Sequence, residues 1–137
     1  MNKIGIDTNI FIYAMDKSSI HHKNCVNILN DIENDLCTST KNISEYFAVC
    51  TKINVNRDKM YSFYQEIKNN IKIFYPTKKS LEIFEFLNKK YKPKGNRVYD
   101  IEIVSIFLSK NINKIATINR KDFKNIIEIE LIDLDQY

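Results

Sequence analysis

Glycine and proline are scarce in this chain, with two residues of each, which argues against long flexible linkers. No apolar run approaches the roughly 20 residues that a membrane-spanning helix needs. The opening segment turns acidic at Asp7, too early for the apolar core of a secretory signal peptide. With 137 residues, the chain is expected to form one domain over residues 1–137, with no membrane association.

Cysteine is limited to Cys25, Cys37 and Cys50, and no two of them form a C-x-x-C pair. The usual zinc and redox motifs are therefore not indicated. Their odd number and their apolar neighbours favour buried, reduced thiols. We expect a cytoplasmic protein on this ground.

Positive charge is in modest excess, with a formal net charge of +4 and basic residues scattered along the chain. Such a balance permits nucleic-acid binding but is weak evidence for it, because many soluble proteins share it. The apolar fraction of 44% and the charged fraction of 28% are ordinary for a globular protein.

Hydrophobic periodicity alternates between strand-like and helix-like along most of the chain. The predicted strands cover residues 3–6, 36–39, 71–75, 114–118 and 127–134. The predicted helices cover residues 9–15, 21–34, 40–53 and 99–110, with two more starting at Asn56 and Thr77 as N-caps. This alternation predicts an α/β fold, with a central, mainly parallel sheet flanked by helices on both sides.

Two helices carry specific expectations. The helix over 99–110 is apolar nearly all round, so it should be central and buried. The helix over 21–34 should place Cys25, Ile28, Leu29 and Ile32 on one buried face.

Acidic and amide side chains follow several of the predicted strands, where α/β sheets bind ligands. Asp7 comes directly after the first strand, and Glu45 lies in the helix entered from the second. Asp100 opens the buried helix, while Asn119 and Asp122 follow the strand over 114–118. We expect these side chains to meet at one edge of the sheet.

A cluster of carboxylates repels itself, so it requires a cation or protonation. Mg²⁺ suits such a cluster because it prefers oxygen ligands, and Mn²⁺ is also accepted. No histidine or cysteine accompanies the set, which argues against zinc. A cation held in this way suits hydrolysis of a phosphodiester.

Each of these residues also has a purely structural interpretation, which is favoured when each is taken singly. Asp7 could begin a turn by accepting from the amides that follow, and Asp100 could be an ordinary N-cap. Glu45 could be solvated, and Asp122 could cap or turn the chain. Two details favour a site: Asp7 interrupts the apolar segment over 4–14, and Asp100 leads a buried helix.

Four segments resemble the motifs of PIN domains, in the family's order and across nearly the whole chain. Residues 6–14 (IDTNIFIYA) look like the opening D-T-N motif and are especially similar to VapC-type toxins of prokaryotic toxin–antitoxin modules. Residues 42–47 (NISEYF) resemble the second motif, with a glutamate early in a helix. Residues 95–100 (GNRVYD) and 116–123 (ATINRKDF) resemble the third and fourth.

The resemblance implies a PIN-like fold and cleavage of RNA that depends on Mg²⁺ or Mn²⁺. It assigns the three core acidic positions, which are both catalytic and metal-binding, to Asp7, Glu45 and Asp100. It assigns supporting polar positions to Asn9 and Thr117. It also implies a homodimer and a small antitoxin as a partner protein.

The fourth motif departs from the family pattern, because many relatives place an aspartate where this chain has Asn119. Asn119 is favoured by alignment as the remaining metal ligand, and Asp122 is favoured by charge. Both remain candidates, and the departure leaves the number of metals open.

Basic and aromatic residues flank the predicted site. Lys94, Arg97, Arg120 and Lys121 could contact RNA phosphates, and Tyr99 could stack on a base or sugar. The alternative is that they are solvated loop cations and a half-buried tyrosine. His21 and His22 lie away from the acidic motifs and are interpreted as surface residues.

Two rival functions stand beside the toxin ribonuclease. A PIN scaffold with a weakened fourth motif could bind RNA or a protein without cutting. A phosphohydrolase or phospho-receiver would keep the α/β fold. However, the first strand ends in Asp-Thr-Asn rather than Asp-x-Asp, and none of the predicted middle strands ends in a phospho-acceptor aspartate.

Overall fold

The computed structural model describes residues 2–137, in which strands and helices alternate. The strands are β1 (Lys3–Ile6), β2 (Asp35–Ser39), β3 (Lys72–Phe74), β4 (Lys114–Ala116) and β5 (Glu130–Leu131). The α-helices are α1 (Thr8–Met15), α2 (His22–Leu29), α3 (Thr40–Lys52), α4 (Arg57–Asn70), α5 (Lys78–Tyr91), α6 (Arg97–Ser109) and α7 (Arg120–Phe123). A 3₁₀ helix, Leu134–Gln136, follows β5.

The five strands form one sheet in the order β3-β2-β1-β4-β5, and every pairing is parallel. Gly5 in the central strand lies opposite Cys37 of β2 and Ile115 of β4. The carboxyl ends of β1, β2 and β4 therefore lie at the same edge. The predicted α/β fold with a parallel sheet is confirmed.

Helices cover both faces of the sheet because successive strand residues point to opposite sides. Ile4 and Ile6 of β1 pack into one core with residues of α1, α2, α3 and α4. The second core contains residues of α5 and α6 together with β2 and β4. Gly5 faces this second layer, where Phe107 of α6 lies against it. As predicted, α6 is central, with buried residues around most of its circumference.

Side-chain caps set the starts of the long helices. Asn56 caps α4 and Thr77 caps α5, as the sequence predicts. Ser39 caps α3 in a reciprocal capping box, and α5 carries a second box formed by Thr77 and Ser80. The Ser39 cap fixes the start of α3 directly after β2, so that Glu45 lies in the second turn of the helix.

The helix predicted over 21–34 is too long, since α2 ends at Leu29. Asp31 accepts hydrogen bonds from the Glu33 backbone N–H at 2.8 Å and from the Asn34 side chain at 2.7 Å. Such local bonds compete with helical ones and favour a turn. Ile32, which was expected on the buried face, is 84% exposed.

The final strand predicted over 127–134 is also wrong in extent, because β5 is two residues long. Residues 124–129 form turns that bury Ile126 and leave Ile127 78% exposed. The Tyr91 hydroxyl accepts from the Ile127 N–H at 3.0 Å and donates to Glu128. These hydrogen bonds attach residues 127–128 to α5 rather than to the sheet. The contact joins residues that are distant in the sequence, so the alternating apolar pattern does not predict it.

Smaller differences occur at helix and strand ends: α6 begins at Arg97 rather than at Tyr99, and β4 ends at Ala116. None of the helices within residues 2–137 combines the length and apolar character needed to cross a membrane.

Candidate active site

A cleft of about 610 Å³ opens at the sheet edge where β1, β2 and β4 end. Its acidic lining residues are Glu45, Asp100 and Asp122, contributed by α3, α6 and α7. Its basic lining residues are Lys41, Lys94 and Arg97, and Tyr99 contributes an aromatic ring. The cleft therefore gathers side chains from segments that are distant in the sequence.

A larger cavity of about 800 Å³ lies at the opposite, amino-terminal edge of the strands. It is lined by α2, α4 and the starts of β2 and β3, and includes the apolar residues Leu29, Phe63 and Ile67. None of the predicted site residues lines it. Three of the predicted acidic residues, Glu45, Asp100 and Asp122, line the smaller cleft instead.

Asp7 is held between β1 and α1 with 6% of its surface exposed. Its Oδ1 accepts from the Thr8 backbone N–H at 2.9 Å and from Asn42 Nδ2 at 3.3 Å. Its Oδ2 accepts from the Thr117 hydroxyl at 2.7 Å and from Asn9 Nδ2 at 3.3 Å. The bond to Thr8 is the turn contact that the structural interpretation predicts, and the same carboxylate is also fixed at the sheet edge.

Asn9 and Thr117, the two predicted supporting residues, contact each other as well as Asp7. Asn9 Nδ2 donates to Thr117 Oγ1 at 3.3 Å, and Asn9 Oδ1 accepts from the Ile118 N–H at 3.1 Å. Thr117 is completely buried. The two side chains thus join the ends of β1 and β4 around the Asp7 carboxylate.

Glu45 reaches the cleft from the second turn of α3 and is half-buried. Its Oε2 lies 3.4 Å from the Thr8 hydroxyl, which donates toward it. Glu45 is therefore linked to the residue that follows Asp7, and the purely solvated interpretation does not hold.

Asp100 of α6 and Asp122 of α7 complete a group of four carboxylates with Asp7 and Glu45, which we call the acidic wall. Asp100 is not an N-cap, because α6 begins three residues earlier at Arg97 with Asn96 as its N-cap. Arg97 pairs with Asp122 through Nη2 and Oδ1 at 3.1 Å, and its Nη1 donates to the Asp122 backbone carbonyl at 3.1 Å. The same arginine therefore joins the starts of α6 and α7.

Asn119 is exposed at the start of α7 and does not line the cleft. Its backbone N–H donates to Thr117 Oγ1 at 3.1 Å, and its side chain makes no capping hydrogen bond to α7. Of the two candidates for the fourth position, Asp122 lies in the cleft wall.

The predicted RNA-binding cations fall into two groups. Lys94 and Arg97 line the cleft. Arg120 instead donates from Nη1 to the Ile132 carbonyl at 2.7 Å, and Lys121 is exposed outside the cleft lining. Tyr99 lies on the cleft wall with 56% of its surface exposed.

The carboxylates affect one another electrostatically. Burial, together with the negative charges of Asp7 and Asp100, raises the pKa of Glu45 to about 7. Burial, together with the negative charges of Asp7 and Asp122, likewise raises the pKa of Asp100 to about 6. Burial also raises the pKa of Asp7, against the lowering effect of its hydrogen bonds to Thr117 and Thr8. Each of these three pKa values is thus raised by a neighbouring carboxylate as well as by burial.

The donor set fits a hard divalent cation, since it consists of carboxylate oxygens without sulfur or nitrogen ligands. The cleft cations Lys41 and Arg97 are already paired with Glu102 and Asp122. Within residues 2–137, Asp7, Glu45 and Asp100 take part in no ion pair.

Across the same described residues, no three acidic, histidine or cysteine side chains are gathered closely enough to hold an ion. Glu45, Asp100 and Asp122 line the cleft, whereas Asp7 is buried and lies outside the lining.

Three residues near the site were not identified from the sequence: Thr8, Asn42 and Lys41. Thr8 and Asn42 are buried and bond to each other at 3.1 Å beside Asp7. The S-x-x-N spacing from Ser39 is a signal that could have identified Asn42 as a capping residue, but nothing in the sequence links that cap to Asp7. Lys41 pairs across the cleft with Glu102 of α6, at 3.4 Å.

Comparison with known proteins gives a family and a set of similar folds. The family model described as PIN domain matches residues 4–128. Comparison with curated proteins gives no match.

Several solved structures share the fold at low sequence identity. VapBC2 from Rickettsia felis, bound to a promoter DNA fragment, is 22% identical with a TM-score of 0.75, covering 95% of this chain and 97% of that one. VapBC-1 from nontypeable Haemophilus influenzae is 20% identical with a TM-score of 0.75, covering 97% and 98%. VapC20 from Mycobacterium tuberculosis, a toxin that cleaves the sarcin-ricin loop, is 12% identical with a TM-score of 0.70, covering 93% and 98%.

These structures support the same architecture, with a parallel sheet between helices. The family model covers most of the chain, including all four motifs up to Asp122. This chain belongs to the PIN domain family.

Proposed function

We propose that this protein is a metal-dependent endoribonuclease that hydrolyses phosphodiester bonds in RNA. The observation that carries the proposal is the acidic wall, in which Glu45, Asp100 and Asp122 line the cleft and Asp7 is buried. Asp7, Glu45 and Asp100 are electrostatic neighbours, and none of the ion pairs within residues 2–137 involves them. Such a group of carboxylates requires a cation or protonation, and we propose that a bound divalent cation fills this role.

We assign Mg²⁺ or Mn²⁺ to this position, held by Asp7, Glu45 and Asp100, with Asp122 or Asn119 as the remaining candidate ligand. When bound, such an ion lowers the pKa of a water molecule and offsets charge on a phosphate. The protein's own contribution is to fix Asp7 through Thr117, Asn9 and the Thr8 amide.

The basic residues at the cleft supply the attraction for a polyanion. Lys94 lies in the cleft lining and in none of the ion pairs within residues 2–137, so its charge is available for a phosphate. Arg97 positions Asp122 and contributes a second positive charge. Tyr99 presents an exposed ring on which a base can stack.

We further propose that the protein is the toxin of a toxin–antitoxin pair, acts in the cytoplasm and forms a homodimer. The solved structures with the same fold include VapBC complexes from several bacteria. The buried free cysteines are compatible with a reducing compartment. Inspection of the neighbouring reading frame for a small antitoxin gene tests the toxin assignment.

The test of the nuclease assignment is cleavage of total cellular RNA by the purified protein with Mg²⁺ or Mn²⁺. EDTA, Asp7→Asn and Asp100→Asn should each abolish cleavage, because each removes a part of the cation site. Asp58→Asn is the matched control, since Asp58 is an exposed carboxylate of α4 outside the cleft. Circular dichroism confirms that each variant is folded.

Discrete fragments that require both the metal and Asp7 support the proposal. Unchanged cleavage in Asp7→Asn and Asp100→Asn refutes the assigned site. Intact RNA together with an absence of Mn²⁺ binding favours the alternative, a PIN-like module that binds RNA or protein without cutting.

A further inference from the structure

Asn42 is completely buried at the start of α3 and forms hydrogen bonds in two directions. Its Oδ1 accepts from the Ser39 backbone N–H at 3.3 Å and from the Ser39 hydroxyl at 2.6 Å. Its Nδ2 donates to Asp7 Oδ1 at 3.3 Å and to Thr8 Oγ1 at 3.1 Å. A backbone N–H only donates and an ionised carboxylate only accepts, so these partners fix the orientation of the amide.

The capping function of Asn42 can be separated from its contact with Asp7. In α5, Ser80 occupies the equivalent position and forms a complete capping box with Thr77. The Ser80 hydroxyl accepts from the Thr77 N–H at 2.7 Å, and the Ser80 N–H donates to Thr77 Oγ1 at 3.1 Å. A serine is therefore sufficient for the cap. The asparagine in α3 adds the two bonds that lead toward the site.

The bond from Asn42 to Thr8 also affects Glu45. The Thr8 hydroxyl accepts from Asn42, and its single proton has two acceptors at 3.4 Å, Glu45 Oε2 and the Asn42 carbonyl. A carboxylate is the stronger acceptor. The amide of Asn42 is thus connected to Asp7 directly and to Glu45 through Thr8.

We propose that Asn42 is a positioning residue that holds Asp7, and through Thr8 also Glu45, in the arrangement that receives the divalent cation. The inference rests on the proposed function, because it assumes that a cation binds at this cleft. Asn42 touches neither the cation nor the RNA in this scheme, and it acts only through the two carboxylates.

The test is Mn²⁺ binding measured by isothermal titration calorimetry on the full chain. Asn42→Ser keeps a hydroxyl for the capping box and removes the bonds to Asp7 and Thr8. We expect its Mn²⁺ affinity to fall about 10-fold or more, the range typical when a group that orients metal ligands is lost. Ser80→Ala is the matched control, since it removes the Ser80 hydroxyl from the capping box of α5, and its Mn²⁺ affinity should match the wild type. Wild-type affinity in folded Asn42→Ser overturns the proposal.

A second variant keeps the inference testable if Asn42→Ser does not fold. Thr8→Val retains the side-chain shape and removes the hydroxyl between Asn42 and Glu45, so Mn²⁺ binding should again weaken. In the double variant Asn42→Ser/Thr8→Val, the fold-loss of Mn²⁺ affinity should be smaller than the product of the two single fold-losses. Both substitutions break the same hydrogen-bond network, so their effects should not be independent. Wild-type affinity in Thr8→Val, or independent effects in the double variant, refutes the connection to Glu45.

Asp7→Asn separates this inference from the proposed function. If Asp7→Asn abolishes Mn²⁺ binding while Asn42→Ser leaves it unchanged, the cation site stands and the role of Asn42 is refuted. If Asp7→Asn binds Mn²⁺ like the wild type, the cation site itself is wrong and the positioning role falls with it.

Discussion

Single residues of the acidic wall are held in different ways. Asp7 accepts four hydrogen bonds from uncharged donors and is nearly inaccessible. Asp122 is paired with Arg97, and Asp100 makes no side-chain hydrogen bond within residues 2–137. The wall therefore combines one rigidly held carboxylate with others whose side chains have fewer constraints.

At the fourth position, we predict that Asp122 contributes more to cation binding than Asn119. Asp122→Asn should weaken Mn²⁺ binding about tenfold, because it removes a negative charge that faces Asp100. Asn119→Ala should have little effect, since the Asn119 side chain is exposed outside the cleft lining. Calorimetric titration of both variants measures the difference.

Arg97→Gln is the control for the ion pair. It breaks the contact with Asp122 but keeps the carboxylate, so Mn²⁺ affinity should be unchanged or higher. If Arg97→Gln weakens binding as much as Asp122→Asn does, the ion pair rather than the carboxylate accounts for the effect. If only Asn119→Ala weakens Mn²⁺ binding, the side-chain amide of Asn119 is favoured as the remaining ligand.

Among the elements, β1 and α6 approach each other unusually closely. A Cβ atom at Gly5 would lie 2.8 Å from Phe107 Cε2 and 2.9 Å from two further ring atoms. Real Cβ atoms are not found at such distances from a buried ring, so glycine at this position permits the contact. This packing positions α6, whose first turn carries Asp100, against the strand that leads to Asp7.

We predict that Gly5→Ala lowers the free energy of unfolding by about 1–3 kcal/mol, the usual cost of overpacking a core. Phe107→Leu should relieve the clash, so the double variant should lose less stability than the sum of the single variants. Urea unfolding followed by circular dichroism measures each value.

Gly95→Ala provides the contrast, because Gly95 has a φ of +58° and no atom within 4 Å of an added Cβ. We expect Gly95→Ala to lower the free energy of unfolding by about 1–2 kcal/mol, because alanine disfavours the left-handed backbone conformation. Phe107→Leu should not reduce this loss. Strict additivity of Gly5→Ala with Phe107→Leu would contradict the packing explanation.

For the whole molecule, we predict that the acidic wall makes stability depend on pH and on the proposed metal. The folded chain raises the pKa of Glu45 to about 7 and that of Asp100 to about 6, so it binds these protons more tightly than the unfolded chain does. This contribution to stability is complete below the unfolded pKa values of about 4 and is lost as pH rises through about 6 to 7.

We predict that the metal-free protein has a lower Tm at about pH 8 than at about pH 5, and that Mg²⁺ restores the loss at the higher pH. Thermal unfolding in EDTA and in Mg²⁺ measures both effects. Asp16, Asp31 and Glu128 have lowered pKa values. These carboxyl groups make stability rise with pH, but only at pH values below this range, where they ionise.

Glu45→Gln is the control for this prediction. It should flatten the pH dependence in EDTA, because it removes the carboxyl group with the higher pKa of the pair. The same Mg²⁺ stabilisation at both pH values would contradict a cation held by these carboxylates.

Much of the architecture was predictable because local patterns and long-range packing agree there. Alternating apolar periods indicated the strands and helices, and the family resemblance located the acidic motifs. The predicted strand over 127–134 was wrong in extent because a contact between distant residues fixes a turn there: the Tyr91 hydroxyl accepts from the Ile127 N–H. They also failed where Asp31 formed a local turn that ended α2 early.

The sequence by itself determined the α/β class, the order of the elements and the identity of Asp7, Glu45 and Asp100 as candidate ligands. These follow from hydrophobic period and from motif spacing, which are local properties. Only the tertiary structure decided that Asp122 lines the cleft while Asn119 is exposed outside it. It also decided that Asn42 contacts Asp7, because which polar atoms meet depends on how separate strands and helices pack.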